Sequence, residues 1–159
     1  ERLYKLCYID MLTGLFNRNR YMEDLSGWEK AALTEIGGIY MDLNGLKHCN
    51  DRFGHEAGDA LIRRTADALN EVFPGEGYRI GGDEFALIVN GAITEGFCKS
   101  RVEKIKAAIR EPYRLQDAEV QVGTSCGCAV YPCDSDDVRA IRILADHRMY
   151  EDKQRFGRS

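Results

Sequence analysis

The sequence predicts an α+β sandwich, in which a mixed sheet carries helices on its faces. Three features support this prediction: an acidic hairpin between residues 78 and 89, a buried strand over residues 37–43, and helices marked by apolar stripes. Strands and helices alternate irregularly along the chain, and no internal repeat is present. Together these features indicate a single layered domain.

The centre of the predicted hairpin is tight and acidic. Ile80 and the run Phe85–Val89 are β-branched or aromatic and predict two strands. The Gly81–Gly82 pair lacks Cβ atoms, which permits positive φ and lets a ligand come close to the backbone. The turn also carries the adjacent carboxylates of Asp83–Glu84, which repel each other unless a cation lies between them. A solvated acidic turn and a site for a hard divalent cation both fit this pattern.

Turn and capping residues define the elements before the hairpin. Asn17 is placed to cap the first helix of the domain. Gly37–Leu43 predicts a buried strand, and Asp42 near its end is costly unless it is exposed or paired. A helix or helical turn is expected to begin at Asn44 and to end at Gly54.

The remaining elements follow from periodicity. A polar loop is expected over residues 55–59, with Asp59 capping the next helix, and Pro112 is expected to end the helix after the hairpin. Residues 120–131 suit either one long strand or a strand pair with glycine irregularities. A last helix begins in an acidic segment. The inward stripes are Ile62, Ala66, Leu69 and Phe73, then Cys98, Val102, Ile105 and Ile109, then Val138, Ile141, Ala145 and Met149.

Length and composition limit the class of protein. The 159 residues fit one domain, and 44% hydrophobic with 30% charged residues is typical of a globular protein. A net charge of −4 argues against a general nucleic-acid or anionic-membrane surface. Six scattered cysteines without a C-x-x-C pair favour reduced thiols over disulfides or zinc. Residues 1–9 are expected to be the end of a helix that connects this domain to an upstream region. The domain is expected to be cytoplasmic, and the upstream region would determine whether the full-length protein is tethered to a membrane.

Three acids that are distant in the sequence are expected to meet. Asp42 ends one strand and Asp83–Glu84 begin another, so antiparallel neighbours would place them about 4.8 Å apart. They could then share one or two magnesium ions, which assist both the attack of a nucleophile on a phosphorus atom and the departure of the leaving group. Lys153 and Arg158, at the end of the last helix, either contact the outer phosphates of a nucleotide or complement the helix dipole.

Five spaced motifs occur in one order along the chain. They are Asp10-x-Leu-Thr-Gly-Leu-x-Asn-Arg18, Asp42-Leu-Asn-x-Leu-Lys-x-x-Asn-Asp51, Gly54-His55-x-x-Gly58-Asp59, Arg79-x-Gly-Gly-Asp-Glu-Phe85 and Ala145-Asp146-x-x-Met-Tyr150-x-x-Lys153. This series resembles the GGDEF family of diguanylate cyclases from about residue 8 to the C-terminus.

The resemblance implies a fold and an activity. The fold would be a nucleotidyl-cyclase-like mixed sheet of about five strands wrapped by helices, over residues 10–159. The activity would join two GTP molecules into cyclic di-GMP and release two pyrophosphates. A homodimer with one GTP per subunit would carry it out, with Mg²⁺ or Mn²⁺, two per site, under the control of an upstream sensor or regulatory domain.

The resemblance also implies roles for individual residues. Asp42, the carbonyl of Leu43, Asp83 and Glu84 match metal-binding positions, and the last two also match catalytic positions. The substrate-binding positions match Asn50 and Asp59 for guanine, Gly81 and Gly82 for close backbone approach, Gly45 and Leu46 for a phosphate cradle, and Lys153 and Arg158 for the outer phosphates. A carboxylate such as Asp59 accepts from guanine N1–H and N2–H₂, which adenine does not offer.

The chain departs from the family pattern at several positions. Asn44 and Leu46 stand where the family often has Asp and Phe, and neither change removes a metal ligand. Arg158 falls one residue later than the family's phosphate-contacting arginine. The family's inhibitory Arg-x-x-Asp is replaced by Val72–Gly75, so product feedback through that site is expected to be lost. A non-catalytic module that binds GTP or cyclic di-GMP, and a scaffold that only dimerises, are the alternatives to a cyclase.

Overall fold

The computed structural model describes residues 1–30, 35–90 and 95–156. The helices in these ranges are α1 (Arg2–Tyr8), α2 (Arg18–Lys30), α3 (Leu46–Phe53), α4 (His55–Val72), α5 (Glu95–Arg110) and α6 (Val138–Phe156). The strands are β1 (Ile36–Asn44), β2 (Gly77–Arg79), β3 (Glu84–Asn90), β4 (Tyr113–Leu115), β5 (Ala118–Val120) and β6 (Gly123–Tyr131). No helix among the described residues is both long enough and apolar enough to cross a bilayer.

The central sheet contains four strands in the order β2-β3-β1-β6. All three pairings between these strands are antiparallel. The α+β class, with helices around one sheet, is therefore confirmed; the described residues give this sheet four antiparallel strands, and Phe16 pairs in parallel at its edge. The short strands β4 and β5 pair with each other in a separate hairpin. A parallel bridge between Phe16 and Tyr78 adds to the β2 edge.

Helices cover both faces of the sheet. One face packs against α4 and α5 through a core that includes Met41, Phe85 and Leu87, all fully buried. The other face packs against α2 around Tyr78 and Ala86 and against α6 around Ala145. A Cβ at Gly127 would lie 1.9 Å from the carbonyl oxygen of Ala145, so α6 approaches β6 more closely than any side chain at that position would allow.

Most of the predicted elements are confirmed. All eight stripe residues predicted for the helices that became α4 and α5 are buried, with Phe73 directly after the end of α4, as are Ile141, Ala145 and Met149 of α6, while Val138 is half-buried. Asn17 caps α2, because its Oδ1 accepts from the N–H of Arg20 at 3.1 Å. Residues 120–131 form essentially the alternative of one long strand, since β6 runs unbroken from Gly123 to Tyr131 and β5 contributes only its last residue, Val120.

The predicted polar loop over residues 55–59 is wrong. Helix α4 begins at His55 with Gly54 as its N-cap, so Asp59 lies inside the helix and does not cap it. Gly54 also ends α3, as predicted, and its φ of 92° is a conformation that side chains disfavour. One glycine therefore turns the chain directly from one helix into the next, and no loop is needed.

Strand β6 lies at an edge of the central sheet, and side chains bind its outward backbone groups. Exposed edge groups would otherwise invite pairing with another strand. The three contacts join Asp152 Oδ2 to the N–H of Cys126 at 2.9 Å, Arg148 to the carbonyl of Cys128 at 2.7 Å, and Asp134 Oδ2 to the N–H of Val130 at 2.8 Å. Two of these side chains belong to α6, so the same contacts fix that helix to the sheet.

Candidate active site

The register of the sheet places Asp42 directly beside Glu84. Strands β1 and β3 are antiparallel, and these two residues are opposite each other. The N–H of Leu43 donates to the carbonyl oxygen of Asp83 at 2.8 Å. Directly opposed residues share a face of the sheet, so the two strands bring the predicted acids together at one end of the sheet.

Asp42 is the most constrained of these acids. Its side chain is only 9% exposed, and Oδ2 accepts from Lys153 Nζ at 2.6 Å, while Oδ1 is buried and has no hydrogen-bond donor. Burial raises the pKa of Asp42, and the neighbouring Asp83 raises it further, although Lys153 acts in the opposite direction. The contact with Asp42 raises the pKa of Lys153. One half-exposed lysine therefore does not fully compensate the buried carboxylate.

The donor set at this end of the sheet fits a hard cation that is shared with a ligand. No three His, Cys, Asp or Glu side chains converge into a metal-binding group anywhere in the described ranges. Magnesium, however, commonly takes one or two carboxylates and completes its coordination with water and substrate phosphates. The buried, unpartnered Oδ1 of Asp42, beside Asp83, is the acceptor that such a cation would satisfy.

The Gly81–Gly82 turn leaves space at the site. No atom lies within 4 Å of a Cβ built at Gly82, whereas a Cβ at Gly81 would lie 3.1 Å from Glu84 Oε2. Neither glycine uses the positive φ that its lack of a side chain permits. The N–H groups of Ile80 and Gly81 both donate to the carbonyl of Glu84, so the loop is longer than the two-residue turns that require positive φ.

The side chain of Arg79 binds the backbone of this turn. Its guanidinium donates to the carbonyl of Gly81 at 3.2 Å and to that of Gly82 at 3.1 Å. It also forms an ion pair with Asp10 at 3.2 Å, and Asp10 Oδ2 accepts from the N–H and hydroxyl of Thr13. The N-terminal motif is thus connected to the acidic turn by one arginine.

The start of α3 provides backbone donors near Asp42. Gly45 is its N-cap, with a φ of 86°, and Leu46 is its first residue. The first N–H groups of a helix have no intrahelical partner and favour anions. The left-handed conformation at Gly45 turns the chain from β1 into the helix within one residue, which places these donors directly after the strand that carries Asp42.

Asn50 and Asp59 lie on neighbouring helices. The Oδ1 atom of Asn50 is buried without a hydrogen-bond donor. A Cβ built at Gly58 would lie 1.7 Å from that oxygen, so the carboxamide of Asn50 packs against the bare backbone of α4 next to Asp59. The carboxamide of Asn50 therefore contacts α4 at the residue that precedes Asp59.

The remaining predictions concern the two basic residues expected at the outer phosphates and the segment that replaces the inhibitory motif. Lys153 reaches the acids, as described above, whereas Arg158 lies outside the described residues. Val72–Gly75 is where α4 ends; Phe73 is buried in the core, and Arg101 donates to the carbonyl of Val72. The loss of product feedback remains a prediction.

Sequence reasoning assigned no role to three residues that shape the site: Asp10, Arg79 and Gly58. Each of them stood within a recognised motif, and that was the available signal. Their contacts join segments up to 69 residues apart, so no local pattern showed which partner each would find.

The chain was compared with known proteins. Residues 7–159 match the family model described as "Diguanylate cyclase, GGDEF domain". The chain is 31% identical over 96% of its length to the "Probable diguanylate cyclase DgcI" of Escherichia coli, covering 32% of that protein. It is 34% identical over 97% of its length to the "Cyclic di-GMP phosphodiesterase PdeR" of the same species, covering 24% of that protein. The chain thus spans about a quarter to a third of these relatives.

A solved structure extends this similarity to the fold. A sensory box/GGDEF family protein from Caulobacter crescentus is 30% identical, with a TM-score of 0.76, and the match covers 92% of this chain and 98% of the other. The family model, the relatives and the fold agree over nearly the whole chain. The chain belongs to the GGDEF domain family of diguanylate cyclases.

Proposed function

We propose that this chain is a diguanylate cyclase that joins two GTP molecules into cyclic di-GMP and releases two pyrophosphates. The observation that carries the proposal is the pairing of Asp42 with Glu84 across β1 and β3, with Asp83 bonded through its backbone to Leu43. A domain that had lost catalysis would have no need to keep a buried carboxylate with an unpartnered oxygen, because such a group costs stability.

The acids would hold the metal. Asp42, Asp83, Glu84 and the carbonyl of Leu43 are the proposed ligands of two Mg²⁺ or Mn²⁺ ions per site. When bound, these ions would neutralise phosphate charge and favour the in-line displacement at the α-phosphorus. Glu84, which lies opposite Asp42 in the sheet, would accept a proton from the attacking 3′-hydroxyl.

Other residues would bind the nucleotide. Asn50 and Asp59 would read guanine, because a carboxylate accepts from N1–H and N2–H₂ and the carboxamide of Asn50 has an unused acceptor. The N–H groups at Gly45 and Leu46 would contact the phosphates at the helix N-terminus.

Lys153 would move from Asp42 toward the outer phosphates as metal takes over the carboxylate. The lysine is 44% exposed, so this movement meets little steric resistance. Arg158 is also proposed to contact the outer phosphates.

Turnover would require two copies of the chain. Each site would hold one GTP, and the 3′-oxygen of each nucleotide would attack the α-phosphorus of the other. A two-fold axis between facing copies satisfies this requirement symmetrically. In the complete protein an upstream sensor or regulatory domain would control how two copies meet.

The test is to incubate the chain with GTP and Mg²⁺ and to separate the products. Cyclic di-GMP and pyrophosphate are expected in a 1:2 ratio, and ATP should not substitute for GTP. Asp83→Asn should reduce turnover by at least about a thousandfold, the order of effect expected when a charged transition-state contact is lost. The matched control is Asp67→Asn, an exposed residue of α4 outside the five motifs, which should leave the rate unchanged.

A regulatory module is the competing function, and one comparison favours keeping it in the test: a relative is named for phosphodiesterase activity. Isothermal calorimetry separates the two functions. Tight binding of GTP or cyclic di-GMP with no product, even at high concentrations of a chain fused to a dimerising helix, would overturn the cyclase proposal.

A further inference from the structure

Asp152 is an acid in an unfavourable local position. It lies in the last turns of α6, where the helix dipole favours cations and where Lys153 and Arg155 are found. An aspartate there opposes the dipole and has a modest helix propensity. Tertiary contacts must therefore account for its stability.

Those contacts fix Asp152 from two other elements. Its Oδ2 accepts from Lys106 Nζ of α5 at 2.6 Å and from the N–H of Cys126 in β6 at 2.9 Å. The side chains of Lys106 and Asp152 are 13% and 15% exposed. An ion pair this buried, with an added backbone donor, has a defined geometry, unlike pairs on an open surface.

The same part of β6 also holds Asp42. Cys126 is opposite Met41 in the β1–β6 register, one residue before Asp42. Thr124 Oγ1 donates to the carbonyl oxygen of Asp42 at 2.9 Å. Residues 124–126 therefore fix the backbone of the acid through one contact and the end of α6 through another.

Lys153 follows Asp152 directly and reaches Asp42 Oδ2 at 2.6 Å. The side chain of Lys153 is long and half-exposed, so few neighbouring groups hold it in place. The region that its ammonium group can reach is therefore set by the position of the α6 backbone. We propose that Asp152, held by Lys106 and the Cys126 N–H, is a positioning residue that directs Lys153 toward the active-site acids. The consequence for GTP rests on the proposed function, whereas the positioning itself does not.

The first test is structural and needs no nucleotide. In a crystal structure of Asp152→Ala, the distance from Lys153 Nζ to Asp42 Oδ2 is expected to exceed the ion-pair limit of about 4 Å. Lys106→Met should have the same effect, and Lys106→Arg should preserve the pair. An Asp152→Ala structure that keeps Lys153 on Asp42 would overturn the inference, whatever the chain does with GTP.

The second test is a double-mutant cycle on the KM for GTP. Asp152→Ala is expected to raise KM roughly five- to twentyfold, and Lys153→Met by a similar factor, whereas the double variant should resemble Lys153→Met within about twofold. If the KM increases of the two single variants multiply in the double variant, Asp152 does not act through Lys153, and the inference fails.

Asp134→Ala is the matched control. Asp134 also binds an N–H group at the edge of β6 and pairs with Arg148 of α6, so its loss loosens the same helix without removing a contact of Asp152 or Lys153. It should lower the melting temperature as Asp152→Ala does and leave KM unchanged. Lys153 could be displaced from Asp42 in the Asp152→Ala structure while the wild-type chain makes no cyclic di-GMP. That result would refute the proposed cyclase activity and would still support the positioning role of Asp152.

Discussion

Gly58 provides the space in which the carboxamide of Asn50 lies. An alanine there would place its Cβ 1.7 Å from Asn50 Oδ1, although alanine is otherwise the better helix former by about 1 kcal/mol. The carboxamide must then move away from the position where guanine would meet it. The requirement for glycine at this position is therefore steric, and it concerns the proposed guanine site.

Gly58→Ala is expected to raise the KM for GTP about tenfold, the effect of losing one hydrogen bond of about 1.4 kcal/mol. Steady-state kinetics with GTP measures it. Gly27→Ala in α2 is the control, because no atom lies within 4 Å of its Cβ and only helix propensity changes. Unchanged GTP kinetics in Gly58→Ala would show that the position of Asn50 does not matter.

Arg79 makes contacts that a lysine cannot reproduce. Its planar fork reaches the carbonyls of Gly81 and Gly82 and the carboxylate of Asp10 at once. Arg79→Lys is expected to reduce the free energy of unfolding by about 1–3 kcal/mol. It is also expected to reduce kcat by a larger factor than the factor by which KM changes, because the turn carries Asp83. Denaturant unfolding and kinetics measure the two effects. If kcat is unaffected, the arginine supports the fold and not the turn.

At the scale of elements, α6 connects the edge of the sheet to the acids. Arg148 and Asp152 bind β6, and Lys153 reaches Asp42. The bare backbone at Gly127 lets the helix approach closely enough for these side chains to reach their partners. The position of this helix therefore affects both the stability of the sheet edge and the charge at the site.

The contact of Asp134 with the same edge predicts a pH dependence of stability. The Arg148 guanidinium and the N–H of Val130 lower the pKa of Asp134. A lowered pKa in the folded state means that the carboxylate stabilises the fold above its ordinary pKa of about 3.9, and that this stabilisation is lost as the pH falls through the folded-state value.

Asp134→Asn should therefore be about 1 kcal/mol less stable than the wild type at neutral pH, and the difference should disappear in strong acid. Urea unfolding across the acidic range measures this. The exposed Glu119→Gln is the control and should show no such dependence. A difference that stays constant with pH would contradict the role of the charge.

At the scale of the whole molecule, the proposed reaction needs two intact sites that face each other. Mixing wild-type chain with an equal amount of Asp83→Asn, at concentrations that saturate association, should reduce turnover per wild-type subunit to about half, because half of these subunits then pair with an inactive copy. Product formation in mixtures of fixed total concentration measures this. Turnover per wild-type subunit that does not depend on the mixing ratio would mean that each chain acts alone.

The sequence by itself determined the α+β class, the amphipathic helices and the family. These depend on local information: apolar periodicity places the stripes of α4 and α5, and spaced motifs identify the acids and glycines. Local patterns also gave one error. They suggested a loop over residues 55–59, because polar residues and a glycine favour one, whereas α4 begins at His55.

Only the tertiary structure decided the individual pairs of distant groups, although the sequence had already predicted that Asp42 would meet Asp83–Glu84 if their strands were antiparallel neighbours. The register of β1 against β3 placed Asp42 beside Glu84, and the packing of α6 on β6 brought Lys153 to Asp42 and Asp152 to Lys106. Such pairings depend on strand register and helix placement, which sum weak interactions over the whole core. No single segment encodes them, and for that reason the contacts of Arg79, Gly58 and Asp152 became visible only in the folded chain.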